Sequence, residues 1–187
     1  MFLGSDLERL YDAAAEIGWQ PPGARILDMP SGGGVALRGL RPGQGVEYVA
    51  ADIAPPMLDR TMAAARARGI ADQVAPRIAD VENLPIPDGT FDMAVSFTGL
   101  HCFPDLAKAV AELTPGPEAG WSDHRQRAAH DRGSRYEPIR RLGRRAKIKG
   151  PGCTGAQVTR WLHTHGMDDV SLELSGAIGY FRGVKRP

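Results

Sequence analysis

Residues 25–34 read RILDMPSGGG, a short apolar run that enters a glycine-rich turn. A buried strand followed by a turn poor in side chains is typical of the first unit of nucleotide-binding α/β domains, because glycine lets the backbone approach a ligand closely. Residues 35–40 can begin a helix directly after the turn. The stretch therefore predicts a strand, a ligand-binding loop and a helix.

The same alternation continues along the chain. The sequence predicts further strands at 46–51, 74–79 and 91–97, helices at 6–19, 54–68, 105–113 and 155–166, and an antiparallel pair at 170–174 and 178–184. Near-continuous apolar strands separated by helices are typical of a parallel sheet covered on both faces. The predicted class is α/β, a doubly wound, mostly parallel sheet with helices on both faces, and residues 1–187 are expected to form one domain.

The composition is that of an ordinary folded chain, with 42% hydrophobic and 24% charged residues among 187. No apolar run approaches the about 20 residues that a membrane-spanning helix needs, and Asp6 and Glu8 do not suit a signal peptide. Cys102 and Cys153 have no CxxC spacing, and we expect both to be reduced thiols. The expectation is a cytoplasmic protein without a membrane partner.

The basic residues are unevenly distributed. The formal charge is only +1, but ten Lys or Arg residues lie between positions 125 and 149. A solvated basic surface is the favoured interpretation, and a polyanion site is the alternative. We find no Asn-Pro-Pro-Tyr-like motif that would present a flipped base. Nucleic acid is therefore disfavoured as a partner.

Two carboxylates favour one nucleotide over another. Asp52 ends the second predicted strand, where an acid accepts hydrogen bonds from a ribose diol. Asp28 precedes the turn, where it would repel a pyrophosphate, hydrogen-bond loop amides and attract an ammonium or sulfonium. Leu37 stands where a dinucleotide fingerprint needs its third glycine. S-adenosylmethionine is therefore favoured over NAD, although each Asp is alternatively a helix or turn cap.

Three segments carry a family resemblance: ILDMPSGGG at 26–34, VAADIAPPML at 49–58 and IADVENLPIPDGTFDMAVS at 78–96. In this order they resemble the motifs of class I S-adenosylmethionine-dependent methyltransferases, a Rossmann-like family. The resemblance covers most of 25–113 and, more loosely, 154–185. Pro30 departs from the family pattern, which has glycine there, and it removes one backbone donor.

The resemblance implies a set of site residues. Gly32 and Gly34 would let the cofactor approach the backbone, Asp28 would lie at its methionine end, and Asp52 would hold the ribose. Ile53 and Met57 would pack against the adenine, Asp80 and the Val81 amide would lie at the adenine amine, and Phe97 would lie beside the sulfonium. The full cofactor-binding set that the resemblance implies is Asp28, Ser31, Gly32, Gly34, Asp52, Ile53, Met57, Asp80, Val81 and Phe97. His101 is either a general base or a side chain that lines the pocket. No metal site is expected.

Residues 117–132, PEAGWSDHRQRAAHDR, do not suit the fifth strand that this family has at this point. The segment is polar and charged and lacks the alternation of a strand. Because burying unpaired charge is costly, we expect it to loop out, either as a solvent-exposed insertion or as the product of a displaced reading frame.

The sequence leaves three functions open. The first is transfer of a methyl group from S-adenosylmethionine to a small molecule placed by residues 136–147. The second is a catalytically impaired S-adenosylmethionine-binding protein, and the third and least favoured is a nicotinamide-dependent oxidoreductase. The methyl acceptor and the oligomeric state are not determined by the sequence.

Overall fold

A computed structural model describes residues 7–84, 86–87, 90–97, 99, 102–114, 124–131, 153–175 and 178–185. The strands in this part of the chain are β1 Arg25–Asp28, β2 Glu47–Asp52, β3 Val74–Ile78, β4 Met93–Ser96, β5 His124–Asp131, β6 Met167–Ser175 and β7 Ile178–Lys185. The α-helices are α1 Leu7–Ala15, α2 Pro55–Ala67, α3 Leu106–Leu113 and α4 Gly155–Thr164. Short 3₁₀ helices span Glu16–Trp19, Val35–Gly39 and Ala71–Gln73.

The strands form one sheet in the order β3-β2-β1-β4-β5-β7-β6. β1 pairs in parallel with both β2 and β4, β2 with β3, and β4 with β5. Only β7 runs against its neighbours, β5 and β6. The chain moves outward from β1 to β3 and then returns to β4 on the other side of β1. This reversal creates the crevice at the carboxyl ends of the strands where open α/β sheets bind ligands.

Two apolar cores lie on the two faces of the sheet. Leu27 of β1 belongs to a core that includes buried residues of α3 and α4, whereas its neighbour Ile26 belongs to a second core with residues of α1 and α2. Adjacent residues of a strand point to opposite faces, so the helices cover both sides. The predicted α/β class, with its Rossmann-like, mostly parallel sheet, is confirmed.

The predicted helix at 35–40 is a 3₁₀ helix at Val35–Gly39. Gly39 is buried where this segment crosses α1, and a methyl group added at Gly39 would collide with the carbonyl oxygen of Ala14 and lie 2.9 Å from the Cβ of Ile17. The chain returns to an extended conformation at Leu40. Close contact with α1 leaves no room for a longer helix in this direction.

The expectation that residues 117–132 avoid the sheet is wrong for His124–Asp131. These eight residues form β5, which lies between β4 and β7. The backbone pairs with β7 over the whole strand and with β4 at Val95↔Arg127 and Ser96↔Ala128. Backbone N–H and C=O groups pair independently of side-chain type, and the edges of β4 and β7 require a partner. The rest of the segment, 117–123 and 132, lies outside the described residues.

No helix in the described part of the chain is long and apolar enough to cross a membrane.

The tight crossing at Gly39 predicts a specific instability. Gly39→Ala should lower the free energy of unfolding by about 1–3 kcal/mol, the usual cost of overpacking, because the new methyl group meets the backbone of α1. Gly33→Ala is the matched control, since a methyl group there meets no atom within 4 Å. Thermal melts should show a fall of about 2–4 °C per kcal/mol for Gly39→Ala. Equal melting temperatures for the two variants would contradict the packing described.

Candidate cofactor site

The glycine-rich turn after β1 has a backbone conformation that favours glycine. Gly32 and Gly34 have φ angles of 53° and 81°, in the left-handed region that L side chains rarely adopt. A Cβ added at Gly32 or Gly33 would meet no atom within 4 Å. This side of the turn is therefore open, and a ligand can approach the bare backbone there.

Hydrogen bonds to β2 and α2, together with one inside the turn, hold the glycine-rich turn in place. The Ser31 amide donates to the Ala51 carbonyl at 2.8 Å, and the Gly34 amide donates to the Ser31 carbonyl at 2.9 Å. The hydroxyl of Thr61, a buried residue of α2, donates to the Gly32 carbonyl at 2.9 Å. Sequence reasoning missed Thr61, because only the fold brings this helix against the turn.

Asp52 joins the two loops of the crevice. Its side chain is 5% exposed, and its Oδ2 accepts a 2.9 Å bond from the Gly32 amide. Its Oδ1 accepts a 2.9 Å bond from the Ala54 amide, just before α2. Asp52 is thus a turn cap in this structure. A carboxylate has about four acceptor positions, so capacity remains for the hydroxyls of a ribose.

Asp28 lies at the end of β1 with 1% of its surface exposed. Its Oδ2 accepts a 2.7 Å hydrogen bond from the hydroxyl of Tyr48. Burial raises the pKa of Asp28 to about 7; the Tyr48 hydrogen bond lowers it, and the charge of Asp52 raises it. Burial and the adjacent Asp28 also hold the pKa of Tyr48 well above its usual range.

The hydrogen-bond partner of Asp28 differs from the expectation. The sequence suggested that Asp28 accepts from loop amides, whereas Asp52 takes the Gly32 amide and Asp28 takes a phenol. The register explains this difference, since Ile26 is paired with Tyr48 and Asp28 with Ala50. Residues two apart on a strand share a face, so the tyrosine and the carboxylate are diagonal neighbours.

Three buried oxygen atoms at this edge have no hydrogen-bond partner among the described residues: Asp28 Oδ1, Ser31 Oγ and Ser96 Oγ. Ser96 follows Val95, the register partner of Asp28. Buried polar atoms in proteins are nearly always satisfied. One carboxylate and two hydroxyls suit the amino-acid end of a ligand, whose ammonium donates and whose carboxylate accepts. Ser96 was not among the predicted site residues, because a serine inside an apolar strand gives no distinctive sequence signal.

Pro30, the departure from the family pattern, lies against Gly99. The Met29–Pro30 peptide bond is cis, and a Cβ on Gly99 would collide with the Pro30 ring and lie 3.1 Å from Ser96 Oγ. Gly99 therefore accommodates the proline ring beside the turn.

The predicted adenine side is more exposed. Ile53, which follows Asp52, is 64% exposed, and Met57 is half-buried in the first turn of α2. Asp80 is exposed and its Oδ1 accepts a 2.9 Å bond from the Glu82 amide. An exposed isoleucine beside a strand end suits a flat apolar ligand.

The remaining predicted residues have different surroundings. Val81 and Phe97 are buried in the two apolar cores, at 4% and 6% exposure. A ligand beside Val81 would therefore meet its backbone. His101 and the segment 136–147 lie outside the described residues.

Comparisons with known proteins decide the family. The family model described as "Methyltransferase domain" matches residues 26–115, which span β1 to the end of α3 and include both Asp28 and Asp52. Residues 26–115 belong to the methyltransferase domain family, class I and dependent on S-adenosylmethionine. The methyltransferase domain thus contains every predicted cofactor-binding residue.

Relatives of the methyltransferase domain agree with this assignment. Demethylmenaquinone methyltransferase of Thermus thermophilus is 40% identical over 111 residues, which cover 59% of this chain and 49% of that protein. The chain therefore spans about half the length of this curated relative. Malonyl-[acyl-carrier protein] O-methyltransferase of Serratia marcescens is 34% identical over 114 residues, covering 55% and 42% of the two chains.

A solved structure extends the likeness to the whole sheet. Phosphoethanolamine N-methyltransferase 2 of Haemonchus contortus, in complex with S-adenosylmethionine, aligns with a TM-score of 0.75 and 13% identity over 96% of this chain and 53% of that one. At this identity the likeness concerns the fold. The sheet in which the chain returns to the other side of β1 therefore resembles the sheet of a solved methyltransferase.

The raised pKa of Asp28 makes stability depend on pH. The pKa of Asp28 is 3.8 in the unfolded chain and about 7 in the folded protein. The stability contributed by the neutral carboxyl is therefore full below pH 3.8 and is lost as the pH rises to about 7. Asp28→Asn cannot ionise. In thermal melts without cofactor, the parent should therefore lose stability relative to Asp28→Asn as the pH rises from 3.8 to about 7. Above that pH the difference in stability between the two proteins should stay constant. A constant difference would contradict the burial of an ionisable Asp28.

Proposed function

We propose that this chain transfers a methyl group from S-adenosylmethionine to a small-molecule acceptor. The observation that carries the proposal is the joint arrangement at the carboxyl ends of β1 and β2, an open glycine turn between two buried carboxylates that interact with one another. The family match over 26–115 supports the same activity. One relative is named for demethylmenaquinone and the other for malonyl-[acyl-carrier protein], so the relatives do not agree on one acceptor.

Different site residues contact the methionine end, the ribose and the adenine of the cofactor. Asp28, with Ser31 beside it, holds the positively charged methionine end, and Asp52 accepts from the ribose hydroxyls. Ile53 and Met57 contact the adenine, while Asp80 and the Val81 amide receive its amine. Phe97 lies beside the sulfonium. Ser96, whose Oγ has no partner among the described residues, joins Asp28 and Ser31 at the methionine end.

S-adenosylmethionine carries an activated methyl group on a sulfonium, so the protein's task is to align an acceptor and exclude water. This task requires no protein nucleophile. His101 is proposed as a general base for acceptors that must lose a proton, or otherwise as part of the pocket wall. The residues around the glycine-rich turn bind the cofactor, and residues 136–147 are proposed to place the methyl acceptor.

A second candidate function is cofactor binding without catalysis, which the polar sequence of 117–132 suggested. The backbone pairing of β5 with both neighbours weakens that suggestion. A dehydrogenase role is disfavoured by Leu37 and by a carboxylate buried beside the turn. We further propose that residues 1–187 form one methyltransferase domain and that the protein is cytoplasmic.

The ribose assignment can be tested at Asp52. Asp52→Ala should weaken S-adenosylmethionine binding by about 1.5–3 kcal/mol, the range for a hydrogen bond to a charged group. Asp92→Ala is the matched control, because Asp92 also accepts a backbone bond, from the Arg25 amide at 2.8 Å, but at the opposite end of β1. Isothermal titration should show full affinity for the control. Full affinity of Asp52→Ala would remove this residue from the site.

The glycine turn gives a second test. Gly32→Val should abolish S-adenosylmethionine binding, because a branched side chain would fill the open side of the turn. Gly43→Val is the matched control: Gly43 also has a positive φ, of 69°, and open space around its Cβ position, but it lies before β2. Both variants carry the same type of backbone strain. Loss of binding in both, or in neither, would contradict the assignment of the turn.

A further inference from the structure

Tyr48 places a hydroxyl in the middle of an apolar strand. Its side chain is fully buried in the core that contains Ile26 and Ala50. A buried tyrosine needs a hydrogen-bond partner for its hydroxyl, and the partner here is Asp28 Oδ2 at 2.7 Å. Phenylalanine would fill the same space without this contact, so the hydroxyl has a role beyond packing.

We infer that Tyr48 is a positioning residue for the cofactor: its hydroxyl holds the Asp28 carboxylate so that Oδ1 remains available for the positive charge at the methionine end of S-adenosylmethionine. The inference rests on the proposed function, which places that end of the cofactor at Asp28. It adds a residue of β2 that lies outside the motifs by which the family resemblance is drawn.

The geometry separates the roles of the two carboxylate oxygens. Oδ2 is occupied by the phenol, whereas Oδ1 is buried with no partner among the described residues. A carboxylate held at one oxygen cannot turn freely about its terminal bond, so the direction of Oδ1 is set before the cofactor arrives. Such preorganisation reduces the entropic cost of binding.

The charges and hydrogen bonds around Asp28 also support a positioning role for Tyr48. Two ionisable groups among the described residues act on Asp28, namely Tyr48 of β2 and Asp52 at its end; the neighbouring residues of β4, Val95 and Ser96, carry no ionisable group. Burial and Asp52 favour the neutral acid, and the Tyr48 hydrogen bond favours the carboxylate. A bound cation also favours the carboxylate. Cofactor binding should therefore release a proton at and below neutral pH, and affinity should fall as the pH decreases below about 7.

Without the Tyr48 hydroxyl, Asp28 should remain protonated to higher pH. Since a hydrogen bond to a charged group corresponds to about one pH unit or more, Tyr48→Phe should raise the Asp28 midpoint by about that amount. Affinity at neutral pH should then fall by up to about tenfold, and it should approach that of the parent in more alkaline solution. A purely structural role would instead lower affinity equally at every pH.

The test compares Tyr48→Phe with Tyr11→Phe, whose ring is 38% exposed and stacks on Arg38. Carbon NMR titration of the Asp28 carboxyl in cofactor-free protein gives the midpoint, and calorimetry with S-adenosylmethionine gives the affinity across the same pH range. We expect a raised midpoint and a pH-dependent loss of affinity for Tyr48→Phe, and parental behaviour for Tyr11→Phe. Titration of the cofactor's own amine affects all variants equally and cancels in the comparison.

An unchanged Asp28 midpoint in Tyr48→Phe, or a loss of affinity for S-adenosylmethionine that does not vary with pH, would overturn the inference. If Tyr48→Phe does not fold, a ring-fluorinated tyrosine at position 48 replaces it: the stronger donor should lower the midpoint, and an unchanged midpoint would again overturn the role. If the parent itself does not bind S-adenosylmethionine, the proposed function fails and the inference with it. Binding by the parent with an unchanged midpoint in the variant overturns the inference alone.

Discussion

The hydrogen bond from the Gly32 amide to Asp52 Oδ2, 2.9 Å long, connects the two loops on which the site depends. The glycine turn follows β1 and the carboxylate ends β2, so the bond requires that the two strands be parallel neighbours in the observed register. The same carboxylate also accepts from the Ala54 amide at the start of α2. One buried side chain therefore sets the distance between the turn, the strand end and the helix that border the crevice.

A second buried carboxylate, Asp28, lies at the same edge of the sheet. Asp28 lies near enough to Asp52 for the two charges to interact, and burial alone already disfavours its ionised form. Two buried acids close together are costly unless a cation or a set of donors is present when the site functions. A ligand with a sulfonium and an ammonium relieves this cost, whereas a pyrophosphate increases it. The electrostatics of this edge of the sheet and the chemistry of S-adenosylmethionine are therefore complementary.

Much of this arrangement is predictable from the sequence. Asp52 and the glycines are recognisable because they stand at strand ends at a characteristic spacing, and the alternation of strands and helices predicts a mostly parallel sheet covered on both faces. Tyr48 and Ser96 are not recognisable, since a single polar residue in a buried strand acquires its role only through register with β1. The polar composition of β5 argues against a strand, and it carries no sign of the backbone pairing that β4 and β7 offer.

The burial and charge of Asp28 and Asp52 suit the crevice beside β1 to S-adenosylmethionine and not to a pyrophosphate cofactor. The most direct measurement is isothermal titration of the parent protein with S-adenosylmethionine and, separately, with NAD under the same conditions. Saturable binding of S-adenosylmethionine with one site per chain, and none of NAD, is the predicted result. Saturable binding of NAD without binding of S-adenosylmethionine would show that the crevice serves a dinucleotide instead.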